Sequence, residues 1–488
     1  MNNCETCPRS CACPSVRLGR REFLATLGVG VSAVAMKTGL WDFASTVVAE
    51  EPRPPGRPRV LAVFFRPKKQ EGYWMGWPGY MYDAAKAQGI YTKLMTEAAD
   101  RLGVDLQVNP EPLEDAAAVD GLLEQLKKSP PQGIVASLMH AGWWGHINKF
   151  VKEKGDLPAV VFVPLGMTFT GHLATTRNAP KTFVASTQDV QWLNQAVRMF
   201  KALYVMKNAR ICILAGDKTR DEVLPTLGTT LHYVPRERWP QEFDRAETTS
   251  AMRAIARYYT RQAKKIVEPK RQDVLNAAKN YVIAKQIMAA ENCQAISLDC
   301  LPLAASRRMP CPPCIAWARL LDEGGVGTCE ADRMSAVSQL LSAQLVGRPG
   351  FMQDPVPTTV NNSFIGAHCT SPTKLAGFDK PHAPFLLRNH DESGTGCVPQ
   401  VLWPVGEPVT VMKFENPETI IVGTGRVLGN NVDLPGCGGC RTSVDLAMDN
   451  VADSRDIKGF HQLFILGKQD HHFKAYGQLA GLKVLPIA

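Results

Sequence analysis

The chain has 488 residues, of which 45% are hydrophobic and 21% are charged, with 55 basic and 46 acidic side chains. This composition is typical of a folded globular protein, and the length exceeds one ordinary hydrophobic core, so two or three domains are expected. The net charge of +9 is small for this length. We therefore infer no nucleic-acid partner from charge.

Residues 1–49 have the pattern of a twin-arginine export signal. Arg20-Arg21 precede an apolar run over residues 24–36, and the small residues at 47–49 provide a cleavage site. The run is shorter than the roughly 18 apolar residues that a membrane span needs, and no other such run follows. The sequence predicts an exported protein, periplasmic or extracytoplasmic, with no stable membrane span after cleavage.

Cysteine usage leaves several alternatives open. Two C-x-x-C pairs, Cys311–Cys314 and Cys437–Cys440, together could form a tetrahedral zinc site. Cys314 opens an apolar helical stretch and the second pair lies in a glycine-rich turn, which favours buried thiols or disulfides. Four of the 14 cysteines precede the twin arginine and would be removed with the signal, namely Cys4, Cys7, Cys11 and Cys13.

Residues 50–207 have the alternating pattern of an α/β domain. Strand-like segments at 59–66, 104–108, 133–139 and 159–163 alternate with helical stretches. This order predicts a parallel sheet covered on both faces. The domain is thus Rossmann-like, but no G-x-G-x-x-G follows its first strand, so it is not predicted to bind a dinucleotide.

Two further domains are predicted. Residues 208–355 resemble a second Rossmann-like unit with a parallel sheet, beginning with the apolar strand at 209–216. From residue 356 to 488, short β-type runs separated by Gly, Pro and Asn replace the helical periodicity. The predicted fold class is therefore α/β, with two Rossmann-like α/β domains followed by a β-rich, barrel-like C-terminal domain.

Two carboxylates in the second domain form the best local constellation. Residues 324–330 lead into a helix that ends near Gly347, and residues 351–353 can form the next strand before Asp354-Pro355. Such a crossover is expected to place Glu330 and Asp354 face to face at the carboxyl ends of neighbouring strands, where open α/β sheets bind ligands. Each residue also has an ordinary structural explanation. Glu330 could be an acid that stabilises a helix N-terminus, and Asp354 could be a turn residue before proline.

Histidines in the third domain complete a possible metal site. His368 lies near its start, and the doublet His471-His472 lies near its end. Carboxylates combined with imidazoles suit a hard divalent cation such as Mn²⁺, and a carboxylate pair can also transfer protons.

Several motifs resemble the L-fucose/L-arabinose isomerase superfamily. The domain order is similar, as is the 24-residue step from Glu330 to Asp354, and the match is best from Cys311 to the C-terminus. The motifs are residues 313–316, 325–332, 365–369 and 439–442 and the late Asp470-His471-His472.

This resemblance implies a Mn²⁺-dependent aldose–ketose isomerase that forms trimers or hexamers. Glu330, Asp354 and His472 would hold the metal, with His368 as an additional ligand. Independently of the family, such a reaction moves a proton from C2 to C1 of an open-chain sugar through a cis-enediol. Flanking carboxylates serve as base and acid, and a cation stabilises the developing charge, so we assign Glu330 and Asp354 both duties.

Sugar recognition adds aromatic platforms and hydrogen-bonding groups. The candidates are Trp74, Trp77, Trp143, Trp144, Asn389, Glu392 and His471. Two other functions stay open at this point. The chain could be an exported, non-catalytic sugar-binding protein on the same fold, or a metal-thiol protein built on the C-x-x-C pairs.

Overall fold

The computed structural model of the protein describes residues 56–69, 77, 82–431 and 440–488. The predicted export signal, its four cysteines, Trp74 and Cys437 lie outside the described residues. No helix in the described part of the chain is long and apolar enough to cross a bilayer.

The first α/β unit is built on a five-stranded parallel sheet in the order β2-β1-β3-β4-β5. Its central strands are apolar along their length and almost entirely buried, as expected when helices cover both faces. The elements are β1 Arg59–Phe65, α1 Ala84–Leu102, β2 Asp105–Val108, α2 Ala116–Lys128, β3 Gly133–Leu138, α3 Trp144–Glu153, β4 Ala159–Pro164, α4 Leu173–Thr176, β5 Thr182–Thr187 and α5 Gln191–Asn208.

The second α/β unit has a five-stranded sheet in the order β11-β10-β6-β8-β7, parallel except for the edge strand β7. Its elements are β6 Arg210–Leu214, β7 Arg220–Val223, β8 Thr230–Val234, α6 Arg238–Arg245, α7 Ser250–Gln262, β9 Lys265–Ile266, α8 Arg271–Ala290, β10 Ala295–Leu298, α9 Leu301–Ala305, α10 Cys314–Asp322, β11 Val326–Cys329 and α11 Arg333–Val346.

The C-terminal region forms a closed six-stranded β-barrel in the order β16-β19-β12-β13-β18-β17, with β16 paired back to β17. Closure leaves no free barrel edge. Its elements are β12 Phe351–Thr358, β13 Ser363–His368, β14 Phe385–Arg388, β15 Val398–Val401, β16 Pro408–Asn416, β17 Thr419–Asn430, β18 Thr442–Met448, β19 Gln462–Leu466, α12 Asp470–Ala480 and β20 Lys483–Pro486. The α/β architecture followed by a barrel confirms the predicted fold class.

One expectation about topology is wrong. Glu330 follows β11 of the second sheet, but Asp354 lies on β12, which pairs antiparallel with β13 and β19 in the barrel. Helix α11 therefore carries the chain away from the second sheet instead of back to its edge. Pro355 and Pro357 on β12 lack the N–H groups that an interior strand of a parallel sheet would donate.

Strand β11, which positions Glu330, packs closely on helix α10. A Cβ atom on Gly327 would lie 2.5 Å from Trp317 Cε3 and 2.9 Å from Trp317 Cα. Since Trp317 is fully buried, neither partner has room to move aside. The glycine is thus required for β11 to approach α10.

We expect Gly327→Ala to lower the free energy of unfolding by about 1–3 kcal/mol, because the added methyl overpacks the core. Gly121→Ala is the matched control, since Gly121 lies in α2 and a Cβ atom added there would have nothing within 4 Å. That change should be neutral or stabilising, because alanine favours the helix. Thermal and urea unfolding of both variants measures the difference; equal stabilities would contradict the packing argument.

Candidate metal site at the mouth of the barrel

Two parts of the fold meet at the candidate site. Glu330 follows the carboxyl end of β11, while Asp354, His368 and His461 cluster at one end of the barrel. The barrel register explains this cluster: Gln353 of β12 pairs with Gln462 of β19, so the next residues, Asp354 and His461, lie side by side. Asp354 also pairs with Ala367, immediately before His368.

The side chains converge on one point. His461 Nε2 lies 3.0 Å from Asp354 Oδ1 and 3.5 Å from Glu330 Oε2. The second Glu330 oxygen, Oε1, lies 3.4 Å from His368 Nε2. Ligand atoms of Glu330, His368 and His461 all lie within 4.8 Å of one another, an arrangement that can hold a metal ion.

Two of these residues have an unusual backbone conformation. Glu330 has φ of 59° and His461 has φ of 56°, and Ala331 next to Glu330 has φ of 52°. Side chains other than glycine adopt this left-handed region rarely, at a cost of about 1–3 kcal/mol each. Such strain persists where the surrounding structure imposes it, and it concentrates at functional sites.

Asp332 fixes the orientation of His461. The side chain of Asp332 caps α11 by accepting a hydrogen bond from Ser335 N at 2.8 Å, and its other oxygen accepts one from His461 Nδ1 at 2.8 Å. Lys413 Nζ lies 3.4 Å from the same carboxylate. Since Nδ1 of His461 is the donor, Nε2 of the neutral ring carries a free lone pair that faces the site.

His368 faces the site with a hydrogen-bond donor, whereas the neutral His461 ring faces it with a lone pair. Its Nδ1 accepts a hydrogen bond from Cys369 N at 3.0 Å, so Nε2, which faces Glu330, bears the proton of the neutral ring. Burial lowers the pKa of His368, but contact with Glu330 and the charge of Asp354 outweigh burial and raise it. In both the neutral and the charged ring, Nε2 of His368 carries a hydrogen and has no free lone pair for a metal. Of the two histidines, His461 is therefore the one whose neutral ring is already oriented to bind a cation.

Three buried atoms at this point have no hydrogen bond while the His461 ring is neutral, because its proton then lies on Nδ1. They are His368 Nε2, His461 Nε2 and Asp354 Oδ1. Lone pairs of a neutral His461 and two carboxylates would repel each other at these distances unless a proton or a cation lies between them. Burial lowers the pKa of His461, but hydrogen bonding with Asp332 and Asp354 raises it to about 9. The residues therefore fit a divalent cation, which would take the place of that proton.

The site opens into a small cavity with a free volume of about 20 Å³, room for a water-sized group. Glu392 and His390 reach it from the loop between β14 and β15, and five cysteines form much of its wall. Burial raises the pKa of Glu392, and so do the charges of Glu330 and Asp354. Burial and the nearby His368 lower the pKa of His390 to about 4.

The predicted late histidines lie elsewhere, which corrects the proposed ligand set. His472 and His471 lie at the start of α12, with ring centroids 5.2 Å and 5.8 Å from that of Trp192 on α5. Neither lines the cavity of Glu330 and Asp354. The structure therefore replaces His472 by His461 as the late histidine of the candidate site, and it places His471 away from the cavity.

Most of the predicted sugar contacts also lie apart from this cavity. Trp144 is only 5% exposed, and its ring N–H donates to Met167 O at 3.0 Å, so its face is not available. Trp143 donates to Glu114 O, and Trp77 is exposed on the first unit. Asn389 contacts Arg441, Glu268 and the backbone of its own loop. Glu392 is the predicted sugar contact that does reach the cavity.

Two residues of the site, His461 and Asp332, were missed by sequence reasoning. His461 opens an apolar strand-like run and lacks the obvious signature of a histidine doublet. Asp332 is two residues from Glu330, within the segment 325–332, and its position before a helical stretch is a capping signal. The pairing of β19 with β12, which brings His461 to Asp354, is not visible in local sequence.

A scan against protein-family models finds no matching family, and a search of curated proteins finds no match. The resemblance to sugar isomerases therefore remains a prediction.

We expect Asp332→Asn to weaken Mn²⁺ binding by about 10–100-fold, the usual effect of losing a partner that orients a metal-bound histidine. The amide can still cap α11, but it no longer accepts the His461 proton as a carboxylate does. Isothermal titration with Mn²⁺ measures the change. Asp379→Asn, at an exposed carboxylate beside Lys380, is the control and should bind as the unaltered chain does.

Mn²⁺ affinity should also depend on pH. With a pKa of about 9, His461 is protonated at neutral pH in the metal-free protein, so binding must release that proton. The affinity should therefore rise about tenfold per pH unit up to that pKa and then level off. Titrations in buffers of different ionisation enthalpy measure the released proton. An affinity independent of pH between neutrality and that pKa would contradict His461 as a ligand.

Proposed function

We propose that the chain is a metal-dependent aldose–ketose isomerase that acts on a small sugar. The observation that carries the proposal is the convergence of Glu330, His368 and His461 at one buried point, with Asp354 Oδ1 3.0 Å from His461 Nε2. Two carboxylates beside a cation-binding point are what transfer of a proton between neighbouring sugar carbons requires.

Glu330, Asp354 and His461 are the residues that would hold the ion, with His368 beside them. Carboxylate oxygens and imidazole nitrogens suit Mn²⁺. A divalent cation bound there would supply positive charge to stabilise the negative charge that develops on the two neighbouring sugar oxygens. No thiol is needed among these ligands, which favours a hard or borderline ion.

The carboxylates would move the proton. Glu330 and Asp354 both lie within 3.5 Å of His461 Nε2, so a sugar carbon pair at this point would have both carboxylates beside it. One carboxylate would accept the proton from C2 and the other would deliver a proton to C1. Glu392, whose pKa is raised, holds a proton more readily than an exposed glutamate and suits donation to a sugar oxygen.

An open-chain sugar needs more room than the cavity provides. The cavity wall contributed by the β14–β15 loop is therefore expected to move when substrate enters, carrying Glu392 with it. A larger cavity of about 690 Å³ lies between the α/β units and α12, but it is lined mostly by proline and apolar side chains. That lining does not suit a polyol, which needs several hydrogen-bonding groups.

The resemblance in sequence supports the same function, since its motifs contain Glu330 and His368 and its 24-residue step ends at Asp354. Export by the twin-arginine route, a small L-fucose- or L-arabinose-like substrate and a trimeric or hexameric assembly belong to this proposal. Loading of metal before export would agree with a route that carries folded proteins.

The test is a ketose assay of the purified chain with Mn²⁺ across a panel of aldoses. Glu330→Gln and His461→Gln should abolish turnover and metal binding while retaining the fold by circular dichroism. His472→Gln is the matched control, because its ring packs on Trp192, and it should keep both.

Three results would contradict the proposal. Tight sugar binding without product would indicate a non-catalytic sugar-binding protein. Loss of metal in His472→Gln, but not in His461→Gln, would overturn the ligand assignment. Stoichiometric zinc that is lost on replacing Cys440 would favour a metal-thiol protein.

A further inference from the structure

The wall of the cavity beside Glu330 and Asp354 is unusually rich in thiols. Cys300, Cys314, Cys329, Cys369 and Cys440 line it. Cys314 and Cys369 pack together with Val398, and Cys440 packs against this group. None of these thiols has a role in the proposed proton transfer.

Cys440 packs against the buried group that contains Cys369, and the side chains of these two cysteines interact. They leave the ends of neighbouring strands: β13 ends at His368, β18 begins at Thr442, and these two residues are paired. If the register of this pair is continued by one residue, Cys369 lies opposite Arg441. Cys440 is the residue before Arg441 in the chain. Thiols in contact on neighbouring strands are the arrangement from which a disulfide forms without large backbone movement.

Access distinguishes this pair from the other cysteines. Cys440 is partly exposed, whereas the other free cysteines in the described residues are buried. Cys212 and Cys293 are also in contact, but both are 0% exposed in the second α/β unit. A soluble oxidant can therefore reach Cys440 while the Cys212–Cys293 pair stays shielded.

A thiolate-bound metal is less well supported. Among the described residues, the group whose ligand atoms meet within 4.8 Å is Glu330, His368 and His461, and no three thiols do so. A soft metal needs three or four sulfur ligands around one point. Two thiols in contact suffice for a disulfide.

We propose that Cys369 and Cys440 form a reversible disulfide that ties the cavity wall together. In the forward step, the Cys440 thiolate attacks a low-molecular-weight disulfide such as oxidised glutathione, forming a mixed disulfide and releasing one glutathione thiolate. The Cys369 thiolate then attacks the Cys440 sulfur and releases the second. Two protein thiols lose two protons and two electrons, and one glutathione disulfide is reduced to two thiols.

The bond would restrain the wall that carries Glu392. Arg441, next to Cys440, donates to Asn389 O at 3.1 Å and pairs with Asp391 at 2.7 Å. The same loop contributes Glu392 and His390 to the cavity. Joining Cys440 to Cys369 thus fixes the segment that holds this loop, independently of which reaction the site performs.

The test is oxidation of the full-length chain in glutathione buffers, followed by alkylation of free thiols under denaturing conditions and by peptide mass spectrometry of matched samples with and without reduction. We expect a Cys369–Cys440 crosslink in oxidised buffer that disappears with reductant, while Cys212 and Cys293 remain alkylated as free thiols. Hydrogen exchange of residues 389–397 should slow on oxidation.

Variants separate the alternatives. Cys440→Ser, at the more exposed position, should abolish both the crosslink and the slowed exchange, and Cys369→Ala should do the same. Cys437→Ser is the control that should retain them. A Cys437–Cys440 crosslink with Cys369 free, no crosslink in oxidised buffer, or thiols protected until a chelator removes a metal would each overturn the proposal.

Discussion

The hydrogen bond between Asp332 and His461 is the contact on which the arrangement at the barrel mouth depends. Asp332 belongs to the second α/β unit and His461 to the barrel, so one carboxylate caps α11 and holds a barrel residue at the same time. Burial raises the pKa of Asp332, but His461 and Lys413 outweigh burial and hold it below the ordinary aspartate value. The carboxylate therefore stays charged, and its charge keeps Nδ1 of His461 protonated and Nε2 directed at Asp354 and Glu330.

The positions of the other site residues follow from this contact between Asp332 and His461. Ser335, one turn into α11, donates to the carbonyl of His461, so the same helix start restrains both the ring and the backbone of the histidine. Glu330 and His461 then occupy left-handed conformations that neither would adopt alone. The result is a cluster of three acceptor groups, Glu330, Asp354 and the neutral His461 ring, beside a cavity with room for one small ion.

Local sequence was sufficient for much of this fold. Strand and helix periodicity indicated both α/β units, and the change to short β-type runs indicated the barrel. Glu330, Asp354 and His368 could be chosen because their side chains together suit a divalent cation and because the resemblance in sequence includes them. The late histidine could not be chosen correctly, because its identity depends on the pairing of β19 with β12, a contact between residues more than 100 positions apart. A doublet such as His471-His472 is conspicuous in sequence, yet its rings pack on Trp192.

The site has one further consequence because it straddles two structural units. Its ligands come from the second sheet and from the barrel, so a cation bound there has full affinity only while the two are docked. By thermodynamic linkage, the free energy of ion binding then stabilises the association of the second α/β unit with the barrel. Metal occupancy would therefore report on whether the chain has completed its fold, and a preparation lacking the ion would be looser where the second α/β unit meets the barrel.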